Sequence, residues 1–270
     1  MQKFAACVQY NGNKYCGWQI QKKSASIQIE IENALTKFSG SKITTYCSGR
    51  TDAKVHAICQ IIHFSTHIIR SNRQWMLGVN TYLPYDIAVI WIIPVKKNFH
   101  ARYSATSRRY VYVIYNHIVR PGIFQEYCAT VFFSLNVKKM QKSANKLIGK
   151  HDFTSFRSKN CQSKTAYRII HNIKIFKYGK YIYIDICANS FVHHMVRNIV
   201  GTLIQIGKGE KSEFWISELL ILKDRKLAGP TASPNGLYLA EVCYPKFFKI
   251  PHINMKISFF NQFLFKKFIN

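Results

Sequence analysis

The stretch YIYIDICANSFVHHMVRNIVGTLIQI, residues 181–206, changes period in its middle. Ile182, Ile184 and Ile186 alternate with Tyr181, Tyr183 and Asp185, the mark of a strand in a sheet with one buried face. From Phe191 onward, Val192, Met195, Ile199, Leu203 and Ile206 recur on one side of a helix. At 100° per residue Arg197 lies roughly 155° from the centre of that stripe, so it faces away from the core. A strand running directly into an amphipathic helix predicts a mixed α and β protein.

The same alternation extends in both directions. Toward the N-terminus the patterns predict a strand over residues 4–10, a helix carrying Ile27, Ile31, Ala34, Leu35 and Phe38, and a strand over 55–64. A helix carrying Trp75, Met76, Val79, Tyr82 and Leu83 and a strand over 87–95 follow. A second cycle has strands near 109–115 and 169–176, a helix marked by Val137, Met140, Ala144, Leu147 and Ile148, a helix over 213–222 and a strand over 237–244. The element order repeats without a sequence repeat, which predicts an α+β fold of two similar lobes, residues 1–105 and 106–245, sharing one sheet. Residues 246–270 form a basic, aromatic tail that we expect to dock, because its many phenylalanines are costly to leave in water.

The 270 residues carry 39 Lys plus Arg against 12 Asp plus Glu, a net charge of +27 spread along the whole chain. Such a field draws polyanions and makes nucleic acid the leading partner class; a Lys-rich bias of the source genome is the competing explanation. The eight cysteines are scattered singly, with no CxxC, a pattern of reduced thiols in a cytoplasmic protein. No apolar run approaches the roughly 18 residues of a membrane helix, and the start lacks a signal-peptide core, so neither membrane nor export is expected.

Several chemistries find no support. GKGEKS, residues 207–212, lacks the glycine of a phosphate loop, so no nucleotide cofactor is expected, and the HxE and PCxxC signature of zinc base deaminases does not occur. His193 and His194 are a tempting metal pair, but adjacent helical side chains point about 100° apart and no third ligand is evident, so we expect no metal.

GRTDAKVHA, residues 49–57, puts Asp52 between a short strand and a longer one, two residues from Arg50. A carboxylate beside a guanidinium keeps its charge and direction, as a nucleophile should; an aspartate that only caps a turn would read the same way.

GRTDA with a histidine at position 56 resembles the catalytic motif of the TruA-type pseudouridine synthases, which modify transfer RNA (tRNA). The resemblance continues through YNGNKYCGWQ (10–19), FHARYSATSRRYVY (99–112), HDFTSFRSKNCQSKT (151–165), ANSFVHHMVRNIVGTL (188–203) and GPTASPNGLYL (229–239). It implies the pseudouridine synthase fold: two lobes on a largely antiparallel mixed sheet, helices packed on it and an active-site cleft between them. It also implies that Asp52 is the catalytic residue, that Arg197 pairs with it, that Tyr110 stacks on the target base, and that GPTASPNGLYL forms part of the active-site wall. A flipped base does need an aromatic platform. Arg108 and Arg109 beside Tyr110 are candidates to hold phosphate. Lys54 stands where the family usually has glycine, and Ala166 where proline is common; if that glycine serves a positive φ, Lys54 is strained by about a kcal/mol or more.

The implied reaction breaks the bond from uracil N1 to ribose C1′, turns the base and rejoins it through C5. No atom is gained or lost, so no cofactor is expected. Attack of Asp52 at C1′, its addition to C6 and its assistance of a glycal route all remain open. The resemblance further implies uridines at positions 38–40 of the anticodon stem-loop as targets and a homodimer that shares one RNA. A synthase aimed at another RNA site and a noncatalytic basic RNA-binding protein are the competing readings.

Overall fold

A computed structural model describes residues 1–21 and 24–252. Ten strands form one sheet: β1 (Gln2–Tyr10), β2 (Tyr46–Cys47), β3 (His56–Thr66), β4 (Ile87–Pro94), β5 (Ser107–Asn116), β6 (Ala129–Val131), β7 (Gly149–Asp152), β8 (Tyr167–Tyr178), β9 (Tyr181–Ala188) and β10 (Leu237–Cys243). Five α-helices join them: α1 (Ile27–Ser39), α2 (Asn72–Asn80), α3 (Val137–Ala144), α4 (Met195–Lys208) and α5 (Trp215–Leu222). The strand order is β4-β1-β3-β10-β5-β9-β8-β7, with β2 on β3 and β6 on β5. Pairing is antiparallel except β10 with β3 and β6 with β5, so the sheet is mixed and largely antiparallel. β10 enters the middle of the sheet, between β3 of the first cycle and β5 of the second, and joins them through both of its edges.

The main core lies between one face of the sheet and the helices. Val192, Met195, Ile199, Leu203 and Ile206 are all buried, as their spacing predicts, and each Leu or Ile contributes about 1.5–3 kcal/mol by leaving water. Asn198, Thr202 and Gly201 on other sides of α4 are buried too, because residues 229–232 pack along it. That close approach needs Gly201: a Cβ there would collide with the carbonyl oxygen of Pro230. A capping box of Ser71 and Gln74 opens α2.

Three expectations change. β9 has two buried faces: Ile182, Ile184 and Ile186 join the main core, while Tyr181 and Tyr183 join Ile58, Val111, Val113, Cys128 and Ala240 in a smaller cluster on the opposite face. The helix expected from Phe191 starts at Met195, because His194 takes a left-handed conformation with φ 63° that ends the preceding turn. Tyr82 and Leu83 fall beyond the end of α2. Phe248 is buried against Phe99, whereas the rest of the expected tail, from residue 253, lies outside the described residues. All eight cysteines are free thiols, and among the described residues no helix is long and apolar enough to cross a membrane.

Candidate active site

Asp52 sits on the turn between β2 and β3, and the surrounding backbone is tied in place. The 10–19 segment packs over this turn: the Trp18 amide donates to Thr51 O at 3.0 Å, the Lys54 amide to Tyr15 O at 3.3 Å, and Tyr10 Oη pairs with Thr51 Oγ1 at 2.7 Å. Gly17, at φ 91°, permits the contact, since a Cβ there would stand 2.6 Å from Thr51 O. From the sheet side Gln60 donates to Gly49 O at 2.6 Å and accepts from the Ser48 hydroxyl at 2.6 Å. Lys54 has φ 64°, a left-handed conformation that costs a side chain about 1–2 kcal/mol and that glycine adopts freely.

His56 anchors the other end of the turn. Its ring is buried, stacks on Tyr238 at 4.7 Å, accepts from the Gly12 amide at Nδ1 and lies 3.1 Å from Asn235 O at Nε2. Burial holds its pKa below the usual histidine value against the opposing backbone carbonyls.

Arg197 comes to Asp52 from the first turn of α4. Its Nη1 donates to Asp52 Oδ2 at 3.0 Å and its Nε to Ala232 O at 2.9 Å, while its own carbonyl accepts from the Ala232 amide at 3.1 Å. The side chain does face away from the apolar stripe, yet it is only 13% exposed, because the carboxylate and residues 229–232 enclose it. Tyr110, on β5, is buried edge-on to Phe191 with ring centres 5.0 Å apart. Burial first, then the nearby Asp52 charge, push its phenol pKa up.

Three arginines expected at the site do other work. The Arg50 guanidinium is turned to Gln162 at 3.3 Å, and the guanidinium at Asp52 is that of Arg197. Successive strand residues point to opposite faces, so Arg108 and Arg109 are separated by the sheet. Arg108 is buried and donates to the carbonyl oxygens of Ala105, Asn189, Ser48 and Arg102, and burial lowers its pKa. Arg109 holds Asp185 through two bonds of 2.8 and 2.7 Å and lies 3.7 Å from Glu241. Both guanidiniums are engaged by protein groups, Arg108 by carbonyl oxygens and Arg109 by carboxylates, where their adjacency suggested phosphate contacts.

The histidine pair is also corrected. Both residues precede α4, so the helical angle between neighbours does not apply. His193 Nε2 lies 3.2 Å from Asp52 Oδ1, and His194 Nε2 lies 3.3 Å from Oδ2. The missing third group is Asp52 itself. Burial lowers the pKa of His194, with Arg197 and Arg225 adding to the effect and Asp52 opposing it. His193 is held by its backbone, whose amide donates to Cys161 Sγ at 3.4 Å and whose carbonyl accepts from the Ser158 amide at 3.0 Å. Sequence reasoning gave no role to Cys161, although CQSKT was part of the resemblance. Burial disfavours its thiolate, but the amides of His193 and Ser163 and the Arg157 guanidinium outweigh that and leave its pKa below the usual value.

A carboxylate gripped by a guanidinium, two imidazoles against its oxygens and a tyrosine beside it join residues from both cycles of the chain. A family model described as tRNA pseudouridine synthase matches residues 6–104 and 143–245, which include all of these groups except Tyr110. The chain belongs to the tRNA pseudouridine synthase family. The tRNA pseudouridine synthase A of Wigglesworthia glossinidia brevipalpis is 59% identical over 96% of this chain and 98% of its own length. Proteins of the same name from Shewanella woodyi and Yersinia pestis are 50% and 48% identical over 93% and 94% of the chain, and over 96% of their own lengths. As a tRNA pseudouridine synthase, the protein is an isomerase that converts uridine in tRNA to pseudouridine.

Proposed function

We propose that Asp52 is the catalytic carboxylate and that the uridines it isomerises lie at positions 38–40 of the anticodon stem-loop. The observation that carries the catalytic part is the Asp52–Arg197 pair, a half-buried carboxylate aimed by a guanidinium that its own neighbours lock in place. The stem-loop target rests on the resemblance of the motif blocks across residues 10–239.

In this reading the uridine is flipped out of the RNA and its ribose comes to the Asp52 carboxylate, which attacks the sugar or ring or stabilises charge while the C1′–N1 bond opens. Arg197 keeps the carboxylate in one direction. Tyr110 forms a wall against the freed uracil, which turns until C5 meets C1′; the C5 proton is then lost and N1 gains one, so the atoms balance. Arg50, exposed at the rim, is left to meet RNA. Phosphate recognition falls to the broad basic surface rather than to Arg108 or Arg109. We take the working form to be a cytoplasmic homodimer that shares one RNA.

Asp52→Ala tests the catalytic part. The variant is expected to keep its tRNA affinity and to lose pseudouridine formation by at least about a thousandfold. Unchanged turnover would reduce Asp52 to a turn residue. Mapping pseudouridine in tRNA from cells with and without the protein tests the target, and unaltered anticodon arms would rule it out.

A further inference from the structure

We infer that Asp52, His193 and His194 form a binding site for a divalent cation of the zinc class, occupied in the RNA-free enzyme and in competition with the uridine substrate. The inference rests on the proposed reading of Asp52 only for its effect on activity; the binding itself follows from geometry.

Two imidazoles and a carboxylate are the donor set that zinc takes from proteins, with a further position left for water. The three donor atoms lie within 4.8 Å of one another, and the two imidazole-to-carboxylate separations are 3.2 and 3.3 Å. A tetrahedral ion with bonds of about 2.0–2.1 Å requires ligand atoms roughly 3.3 Å apart, so side-chain rotations that bring both imidazoles onto one carboxylate oxygen complete the site. The left-handed backbone at His194 produces this convergence, and the two rings lie with centres 4.0 Å apart. The cluster is open to solvent, with side-chain exposures of 40%, 28% and 22% for His193, His194 and Asp52. Arg197 donates to Oδ2, the oxygen that His194 also faces, so a cation held through Oδ1 beside His193 requires the His194 ring to turn toward Oδ1.

The consequence is a reversible block. A bound cation takes up the carboxylate charge that the reaction uses, and a docked nucleotide covers the same side chains. Zinc therefore inhibits at low tRNA concentration, and raising tRNA restores turnover.

Glu241, Cys243 and His252 form a second group of possible ligands, but there Glu241 also lies 3.7 Å from Arg109, and no catalytic side chain is present. It serves as the background to remove. The test is calorimetric titration of Zn²⁺ into metal-stripped full-length protein carrying Cys243→Ser, compared with the same protein bearing His193→Gln, His194→Gln or Asp52→Asn. One saturable site is expected, weakened at least about tenfold in each of the three, since loss of outer-shell partners alone costs that much. Equal affinity in all four proteins, or no saturable binding, would overturn the inference. X-ray absorption of the zinc-loaded Cys243→Ser protein gives a readout with the three proposed ligands intact: two imidazole nitrogens are expected, and a sulfur neighbour at about 2.3 Å would refute the site. If Asp52→Asn proved fully active, the catalytic reading would fail while these binding measurements still decided the cation site.

Discussion

Arg108 gives up four donors to backbone carbonyls, which makes a buried cation part of the scaffold of the Asp52 turn, since Ser48 is one of its partners. Arg108→Ala is expected to cost about 2–4 kcal/mol of stability, read from the urea midpoint, and to leave the salt dependence of tRNA binding unchanged. Arg197 predicts the reverse division. Arg197→Ala removes one charged hydrogen bond from Asp52, so turnover should fall about 10–100-fold while tRNA affinity changes little; equal losses in both would recast it as a phosphate contact. These two arginines show how unevenly the site could be read beforehand. The Asp52–Arg197 pair spans 145 residues, so only the resemblance of two separate motifs connected them. Two of the four carbonyls that hold Arg108, those of Ser48 and Asn189, are distant in sequence, and nothing in the local RRY pattern marks its burial. The histidine pair was misread because a single left-handed residue moved the helix start past it.

At the level of elements, α4 and β9 were legible because their apolar periods are long and unbroken, and β8 because it is long and rich in isoleucine despite a bulge after Ile170. β6 and β7 were not, and β2 was expected only as a short strand before Asp52: strands of two to four residues are too short to show an alternation, and their existence depends on a neighbouring edge. The second buried face of β9 was hidden for another reason, because tyrosine serves equally well against solvent and against a small apolar cluster. β3 carries a titration into the fold. His63 lies on it, buried between Tyr46 and His100, with its pKa lowered to about 4 by burial foremost and by His100 and Lys3. His56 on the same strand and nearby His100 shift the same way. The native state keeps His63 neutral while the unfolded chain protonates near pH 6.5, so its contribution is complete above that pH and is lost as pH falls toward about 4. The loss is on the order of 3 kcal/mol for His63 alone. Urea midpoints measured across this window should drop with pH, and His63→Gln should flatten part of the drop; superimposable profiles would refute the assignment.

For the whole molecule the governing quantity is the net charge of +27. Each phosphate neutralised releases counterions, so tRNA affinity is expected to fall by about a thousandfold or more between roughly 50 and 200 mM salt. Filter binding across that range checks it, and a shallow slope would move recognition from charge to a few specific contacts. The Asp52→Ala protein should show the same slope, because the field comes from the entire surface.

The position of β10 has a consequence for biosynthesis. Among the described residues, the strand that joins β3 to β5 is made after every other strand of the sheet, so a nascent chain carries two unfinished halves, each with an open β edge. Until residues 237–243 leave the ribosome those edges are free to pair with other chains. The interval in which this protein most needs a chaperone is therefore the one between emergence of β5 and emergence of residues 237–243.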